Sequence, residues 1–285
     1  MHTLVFDVYG TLVDTADVTA LLEIKLGECA AFFASQWRNK QLEYSYRMGL
    51  MRRYEPFSQC MRYAFEYTCE EFRVCFTSEE KEALFLRHVA LPAFEDAKIA
   101  LPKFAFTDAE CFVFSNGTAD DVDAALSYAG LRSYVQDIVS VDSIKMYKPS
   151  RIAYRYLVEY ITQFHSNSGT CLDENSSVLE KKRIVDLNVQ DRQCLHYVES
   201  GLEDAEPEMQ DDAFLTITPE LHKIWLISSN PFDVIGAKVA GLQAAWIRRS
   251  ASSVFDPWGI EPTITVENLN ELYDVLRYRN AINPL

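Results

Sequence analysis

The sequence predicts a doubly wound, parallel α/β sheet with an all-helical block inserted near its start. Three observations predict it: short apolar runs alternate with helical stretches, helical periodicity is unbroken between the first run and the second, and polar residues stand where the runs end. Strand alternating with helix builds a parallel sheet. A continuous apolar run of about 4–8 residues suits a strand buried on both faces.

The first run, Leu4-Val5-Phe6, leads into Asp7 and then Val8-Tyr9-Gly10-Thr11-Leu12-Val13-Asp14. From there to about residue 95 the pattern is helical: a stretch holding Leu21, Leu22, Ile24 and Leu26, then Trp37 to Arg53, Pro56 to Phe72 and Ser78 to Val89. Pro56 and Ser78 stand where helix starts favour them. The sheet resumes with Cys111-Phe112-Val113-Phe114, ending at Ser115; Thr118, with Asp121 three residues on, predicts a helix start and Gly130 its stop. Ile138 to Val141 is the next strand, Lys148-Pro149 lies in the loop beyond it, and Ile152 to Ile161 reads as a helix. Ile224 to Ile227 is a strand, followed by a helix with Asn230 at its cap, Pro231 in its first turn and Gly241 at its end. Strands at Ala244 to Ile247 and Thr263 to Val266, then a helix from Leu269 to Leu276, close the chain. The core is thus 1–14 with 96–285, and the helical block is 15–95.

The rhythm breaks between Gln163 and Leu221, giving an insertion at about 164–222. Its part from Glu199 to Asp212 carries seven carboxylates without a basic residue, so repulsion opposes compaction and a mobile surface loop is expected. An inert insertion and a docking arm are both open readings of it.

At 285 residues and 48% hydrophobic content the chain can bury a sizeable core. No long uncharged apolar run predicts a membrane span, and the first strand begins too early for a cleavable leader, so the cytoplasm is the expected compartment. Seven cysteines without a C-x-x-C pair fit reduced thiols, expected as buried small hydrophobes and not as a zinc site or disulfide framework. The net charge of −15 disfavours nucleic acid and anionic membrane as partners, but a small carboxylate is still admissible, because a cation inside a cleft selects it. None of His2, His88, His165, His196 and His222 falls in a metal or triad pattern.

Asp7 ends a buried parallel strand, in the crevice where open α/β sheets bind ligands, and is a candidate nucleophile; capping of its own turn is the alternative. Tyr9 stands where a metal-dependent phosphotransferase would want a second carboxylate. In order along the chain, Asp7-Val8-Tyr9-Gly10-Thr11-Leu12, Ser115-Asn116-Gly117, Tyr147-Lys148-Pro149 and Ser228-Ser229-Asn230-Pro231-Phe232-Asp233 resemble the haloacid dehalogenase superfamily. With Tyr9, and with Trp37-Arg38-Asn39-Lys40-Gln41-Leu42-Glu43-Tyr44 in the helical block, the sequence is similar to its L-2-haloacid dehalogenase (type II) branch. The resemblance spans nearly all of the chain except about 164–222.

This resemblance implies a haloacid dehalogenase-like core with a helical cap, and hydrolysis of a short (S)-2-haloacid to the (R)-2-hydroxy acid without metal or cofactor. Asp7 would displace halide and form an ester on its own side chain, which divides a hard hydrolysis into two steps. Lys148 would be the cation beside it and Ser115 would help to hold the substrate carboxylate. Arg38 and Asn116 would receive the departing halide. Asp233 would activate water, with Thr11, Ser228 and Asn230 positioning the network. Tyr154 would line the site, and Leu42, Phe57 and Phe232 would wall it off from water; Phe232 stands where relatives often carry Trp. Without the resemblance, Lys148 reads as a solvated loop residue, Arg38 as an exposed helix residue, Asp233 as a helix-dipole partner and Tyr154 as a core aromatic. Family members often form dimers, and the apolar cap helices could supply that interface. A phosphatase-type hydrolase acting on another metabolite is the second reading, and a non-catalytic binding protein working through the acidic insertion is the third.

Overall fold

The computed structural model describes residues 2–168 and 221–285. Its sheet has six strands: β1 (Thr3–Phe6), β2 (Glu110–Ser115), β3 (Asp137–Ser140), β4 (Ile224–Ser228), β5 (Gln243–Ile247) and β6 (Ile264–Val266). They lie in the order β3-β2-β1-β4-β5-β6, and every pairing is parallel. The chain works outward from β1 to β3, then returns to the other side of β1 for β4. The strand order therefore reverses between β1 and β4, and the crevice outside their carboxyl ends is where such sheets bind ligands. Phe6 pairs with Val113 and Ile227, so Asp7 emerges level with Phe114 and Ser228. Leu4, Val5 and Phe6 are fully buried, as are Phe112, Val113 and Phe114, which is why these runs read as continuous apolar stretches without alternation.

Between β1 and β2 lie α1 (Ala16–Leu26), α2 (Ala30–Leu50), α3 (Phe57–Phe72), α4 (Ser78–Arg87) and α5 (Glu95–Ala105). Aromatic rings knit α2, α3 and α4 together: Phe33 meets Phe65 and Phe72, and Trp37 meets Phe65 and Phe85. The Trp37 indole N–H also donates to the Met61 carbonyl at 2.8 Å. Thr77 and Glu80 form a reciprocal capping box at the start of α4. The chain crosses between block and sheet twice, and the crossings pair with each other: Asp14 N–H donates to Pro92 O, and Phe94 N–H to Leu12 O. Arg249 grips both, through Asp96 and the Phe94 ring on one side and the Thr11 carbonyl on the other.

The remaining helices are α6 (Ala119–Tyr128), α7 (Arg151–Ser168), α8 (Pro231–Val239) and α9 (Leu269–Tyr278). Thr118 caps α6 by accepting from Asp121 N–H, and Gly130 and Gly241 follow α6 and α8 with φ of 71° and 87°, as their turns require.

Several expectations need correction. A helix over 95–105 was not foreseen, because Pro102 lies inside it and interrupts the helical signal. α2 starts at Ala30, ahead of the expected Trp37, and α7 runs past Ile161 to Ser168, across the expected start of the insertion at about 164. Ser78 opens α4 as expected, with Thr77 as its cap, whereas Pro56 precedes α3 at its cap. Asn230 occupies the cap position of α8 but does not cap it. Cys60, Cys69 and Cys111 are buried, whereas Cys29 and Cys75 are exposed. The acidic stretch from Glu199 to Asp212 lies outside the described residues. Two compact units divide the chain, 1–158 with 217–285 and 159–216; sheet and helical block belong to the first. No described helix is long and apolar enough to cross a membrane.

Candidate active site

Asp7 is 6% exposed, and its carboxylate accepts from four side chains. Oδ2 receives Thr11 Oγ1 at 2.9 Å, Ser228 Oγ at 3.2 Å and Asn230 Nδ2 at 2.7 Å, while Oδ1 receives Lys148 Nζ at 3.0 Å. Local folding explains the first donor. Gly10, at φ 79°, lets the chain reverse so that Leu12 and Val13 N–H return to Val8 O, and the Thr11 side chain faces back to the strand end. Thr11 Oγ1 also accepts Ser229 N–H, and Ser229 Oγ, which donates to Gly10 O, lies 3.1 Å away as a second acceptor for the threonine hydroxyl beside the Asp7 carboxylate. Asn230 donates through Nδ2 to Asp7, and its side chain makes no bond to the start of α8.

Lys148 is 2% exposed and is no solvated loop residue. Its Nζ donates to Asp7, to Phe114 O at 3.1 Å and to Asp233 Oδ2 at 2.6 Å. The backbone N–H of Lys148 donates to Asn116 Oδ1 at 2.8 Å, which fixes the asparagine amide with its Nδ2 turned the other way. Burial pulls the lysine pKa down, but Asp233 and Asp7 outweigh it and leave it raised, so the ammonium persists.

Asp233 is fully buried at the third position of α8. Its Oδ1 accepts the Tyr154 hydroxyl at 2.7 Å, and that hydroxyl also reaches Asp233 O at 3.0 Å. Burial raises its pKa, Lys148 opposes, and the charge of Asp7 raises it further. Tyr154 is equally buried and its phenol is pushed well up, so it acts as a donor and not as an anion. Its approach depends on Gly236, where a Cβ would fall 2.4 Å from the Tyr154 hydroxyl.

The helical block contributes one face of α2. Arg38, Leu42 and Tyr46 follow at intervals of four, which places them on one side of a helix. Arg38 is half-buried; Nη1 donates to Gln41 Oε1 at 3.1 Å, and the guanidinium stands 5.7 Å from the Phe57 ring centroid. Burial lowers its pKa, while Asp7, Tyr46 and Tyr9 oppose, which places all three within its electrostatic reach. Leu42 packs against the cluster of Phe57, Cys60 and Tyr147, and Phe232 meets the Tyr46 ring edge-on at 5.7 Å. Burial raises the Tyr9 phenol, so at neutral pH it offers no carboxylate-like ligand. Ser115 Oγ, at the end of β2, accepts Gly117 N–H at 3.1 Å. Among the described residues no three His, Cys, Asp or Glu side chains are grouped to hold a metal ion.

The expected residues thus converge on the carboxyl edge of β1, β2 and β4: Asp7, Thr11, Asn116, Lys148, Tyr154, Ser228, Asn230 and Asp233 form one hydrogen-bonded network, with Arg38 in its field. A Rossmann-like sheet, with a carboxylate–ammonium–carboxylate cluster at its switch point and a helical insertion after its first strand, is the architecture of a capped hydrolase. The chain belongs to the haloacid dehalogenase-like hydrolase family, whose model matches residues 4–168. It is 25% identical to the (S)-2-haloacid dehalogenase 2 of Pseudomonas sp. strain CBS-3 over 97% of this chain and 96% of that one. With (S)-2-haloacid dehalogenase 1 of the same strain it shares 33% identity over 53% of this chain and 67% of the relative. In fold it is similar to the L-2-haloacid dehalogenase of Xanthobacter autotrophicus solved with chloropropionic acid covalently bound, at TM-score 0.69 and 22% identity, covering 97% and 98% of the two chains.

Sequence reasoning missed Gln41, Tyr46, Tyr147, Ser229 and Gly236. Tyr46 was legible as the next four-residue step after Arg38 and Leu42. Gly236 was not, since its need arises only from a tyrosine 82 positions earlier in the chain.

Proposed function

We propose that the protein hydrolyses a short (S)-2-haloacid to the (R)-2-hydroxy acid through an ester on Asp7. The observation that carries this reading is the Asp7 carboxylate itself: one oxygen faces an ammonium, the other is held by three neutral donors, and a guanidinium lies within reach. Oδ1, with the fewer donors, attacks the carbon bearing the halogen. The C–O bond forms as the C–X bond breaks, configuration inverts, and halide leaves toward Arg38 and the Asn116 amide. Charge that develops on the leaving atom is stabilised there and not in the ground state.

In the second step water attacks the Asp7 carbonyl carbon and Asp233 takes its proton. Oδ2, now the ester carbonyl oxygen, becomes an oxyanion already faced by Thr11, Ser228 and Asn230. Collapse breaks the acyl C–Oδ1 bond, the departing alkoxide takes the proton back from Asp233 and leaves as the hydroxy acid, and the proton of the new Asp7 carboxyl is lost to solvent, which restores the carboxylate. Lys148 balances the nucleophile's charge, so neither step calls for a metal. Leu42, Phe57, Tyr46 and Phe232 line the approach, Ser115 assists with the substrate carboxylate, and Tyr154 fixes Asp233. The named relatives supply the substrate class.

Halide release from short 2-haloacids, with and without EDTA, tests the reaction and its metal need together. Halide should appear equally in both, and the Asp7→Asn variant should release none while remaining folded. A single turnover in 18O-water should give unlabelled hydroxy acid, because its hydroxyl oxygen comes from Asp7. Wild-type halide release by Asp7→Asn, or a phosphatase activity that chelation removes, overturns the reading.

A further inference from the structure

Tyr147, next to Lys148, carries its side chain the opposite way. Its ring is buried in the helical block, stacked on Tyr54 at 4.8 Å and 28°, with Phe57 at 6.4 Å. Its hydroxyl donates to Glu55 O, accepts Glu55 N–H at 3.2 Å and lies 3.4 Å from Cys60 Sγ. Gly49 makes room for it, since a Cβ there would sit 3.3 Å from the ring. Tyr54 extends the contact back to the loop: its hydroxyl donates to Asp142 Oδ1 at 2.7 Å, and Lys145, bound to Asp142 at 2.9 Å, lies 5.2 Å from its ring. On the core side the same loop is held by Asn116, through Lys148 N–H.

The geometry points to Tyr147 as a positioning residue: one side chain, clamped between Tyr54, Glu55 and Cys60, sets the place of Lys148 and ties it to the block that carries Arg38 and Phe57. The two walls of the site are then not independent. A block displaced from the core drags the Tyr147 ring, and the ammonium of the next residue leaves the two carboxylates. Surface ion pairs such as Lys25 with Glu80 do not serve this purpose, because they join the block only to itself.

This inference rests on Lys148 as the cation of the proposed site, and its test has a readout besides activity. The Lys148 side chain is faced by Asp7 from β1 and Asp233 from α8; Tyr9, Arg38, Tyr46 and Tyr154 are the other titratable groups around that cluster. NMR titration of 13C-labelled lysine should place wild-type Lys148 above its ordinary 10.5. Tyr147→Ala should bring it down and slow halide release on the order of 100-fold. Tyr147→Phe, which keeps the ring and loses the hydroxyl, should do the same to a smaller degree, and it decides the matter if the alanine variant does not fold. A lower melting temperature with Lys148 titration and halide release at wild-type values, or no change in any of them, overturns the proposal. If the wild type releases no halide, the dehalogenation reading falls and the titration alone decides the role of Tyr147.

Discussion

Lys148 Nζ lies closer to Asp233, at 2.6 Å, than to Asp7, at 3.0 Å, so a single buried ammonium serves two carboxylates. Burial raises the Asp233 pKa, Lys148 opposes it, and the charge of Asp7 adds to the rise. In the proposed reaction, esterification of Asp7 removes that charge and leaves the ammonium to Asp233 alone. Asp233→Asn should therefore release one equivalent of halide and stall, with ester hydrolysis slowed by roughly 10²–10⁴. Quench-flow halide measurement and intact mass, which should show the acyl fragment on the protein, check this; repeated turnover at the wild-type rate would remove Asp233 from its role.

Arg38 is held on α2 by Gln41 and shares its field with Asp7, and in the proposed reaction it stabilises the departing anion. Arg38→Lys keeps the charge but loses the planar fork and the Gln41 bond. Halide release should fall about 10²-fold, with the larger deficit for chloride than for bromide, because the poorer leaving group carries more charge at the transition state. Equal losses for the two halides would argue for a merely structural arginine.

Gly236 is the counterpart of Tyr154. A methyl group there would fall 2.4 Å from the hydroxyl and 2.5 Å from the ring, and neither α8 nor a buried tyrosine has room to yield. Gly236→Ala should cost about 1–3 kcal/mol of stability, read from denaturant midpoints. It should also slow ester hydrolysis more than halide release, since the displaced tyrosine holds Asp233 and not Asp7. A variant as stable and active as the wild type would contradict the close approach.

The legible parts of this molecule were those in which one stretch of chain carries its own signal. β1 and β2 announced themselves as apolar runs because both faces are covered, and Asp7 because it ends one of them. Lys148 was legible only through its motif; its burial arises from Asp7, Phe114 and Asp233, which come from three other segments. Asn230 looked like a helix cap because its position is one, and its amide instead meets an anion on a strand more than two hundred residues away in sequence. α5 was hidden by Pro102, and the tyrosine clamp by the fact that Tyr54 and Tyr147 meet only once the block folds onto the core.

Arg249 binds Asp96 through Nη1 at 2.7 and 2.6 Å, touches the Thr11 carbonyl, and lies 4.0 Å from the Phe94 ring centroid. Both crossings between sheet and block are thus tied to one side chain, and Thr11 in turn donates to Asp7. Arg249→Met keeps much of the stem packing but leaves Asp96 with the Leu269 N–H as its one partner among the described residues. We expect a loss on the order of 3 kcal/mol, together with a fall in kcat, as the Thr11 turn loosens. Unchanged stability in chemical denaturation would show that the linkers hold each other without it.

His88 ends α4 with its ring edge-on to Trp37 at 5.0 Å, and its Nε2 is buried with no partner among the described residues. Burial, and then the nearby charge of Arg38, push its pKa down to about 4 from 6.5. A histidine depressed in the folded state takes up a proton more readily when unfolded. Its contribution to stability is therefore complete above 6.5 and is lost as the pH falls through the folded value near 4. His88→Phe keeps an aromatic ring against Trp37 while removing both the ionisable group and the unpaired nitrogen. The variant should match or exceed the wild type near neutrality and lose less stability between 6.5 and 4, as urea midpoints across that window would show. Parallel acid losses in the two proteins would mean that the imidazole is hydrated, and that the seat of Trp37, beside Arg38, is wetter than its packing suggests.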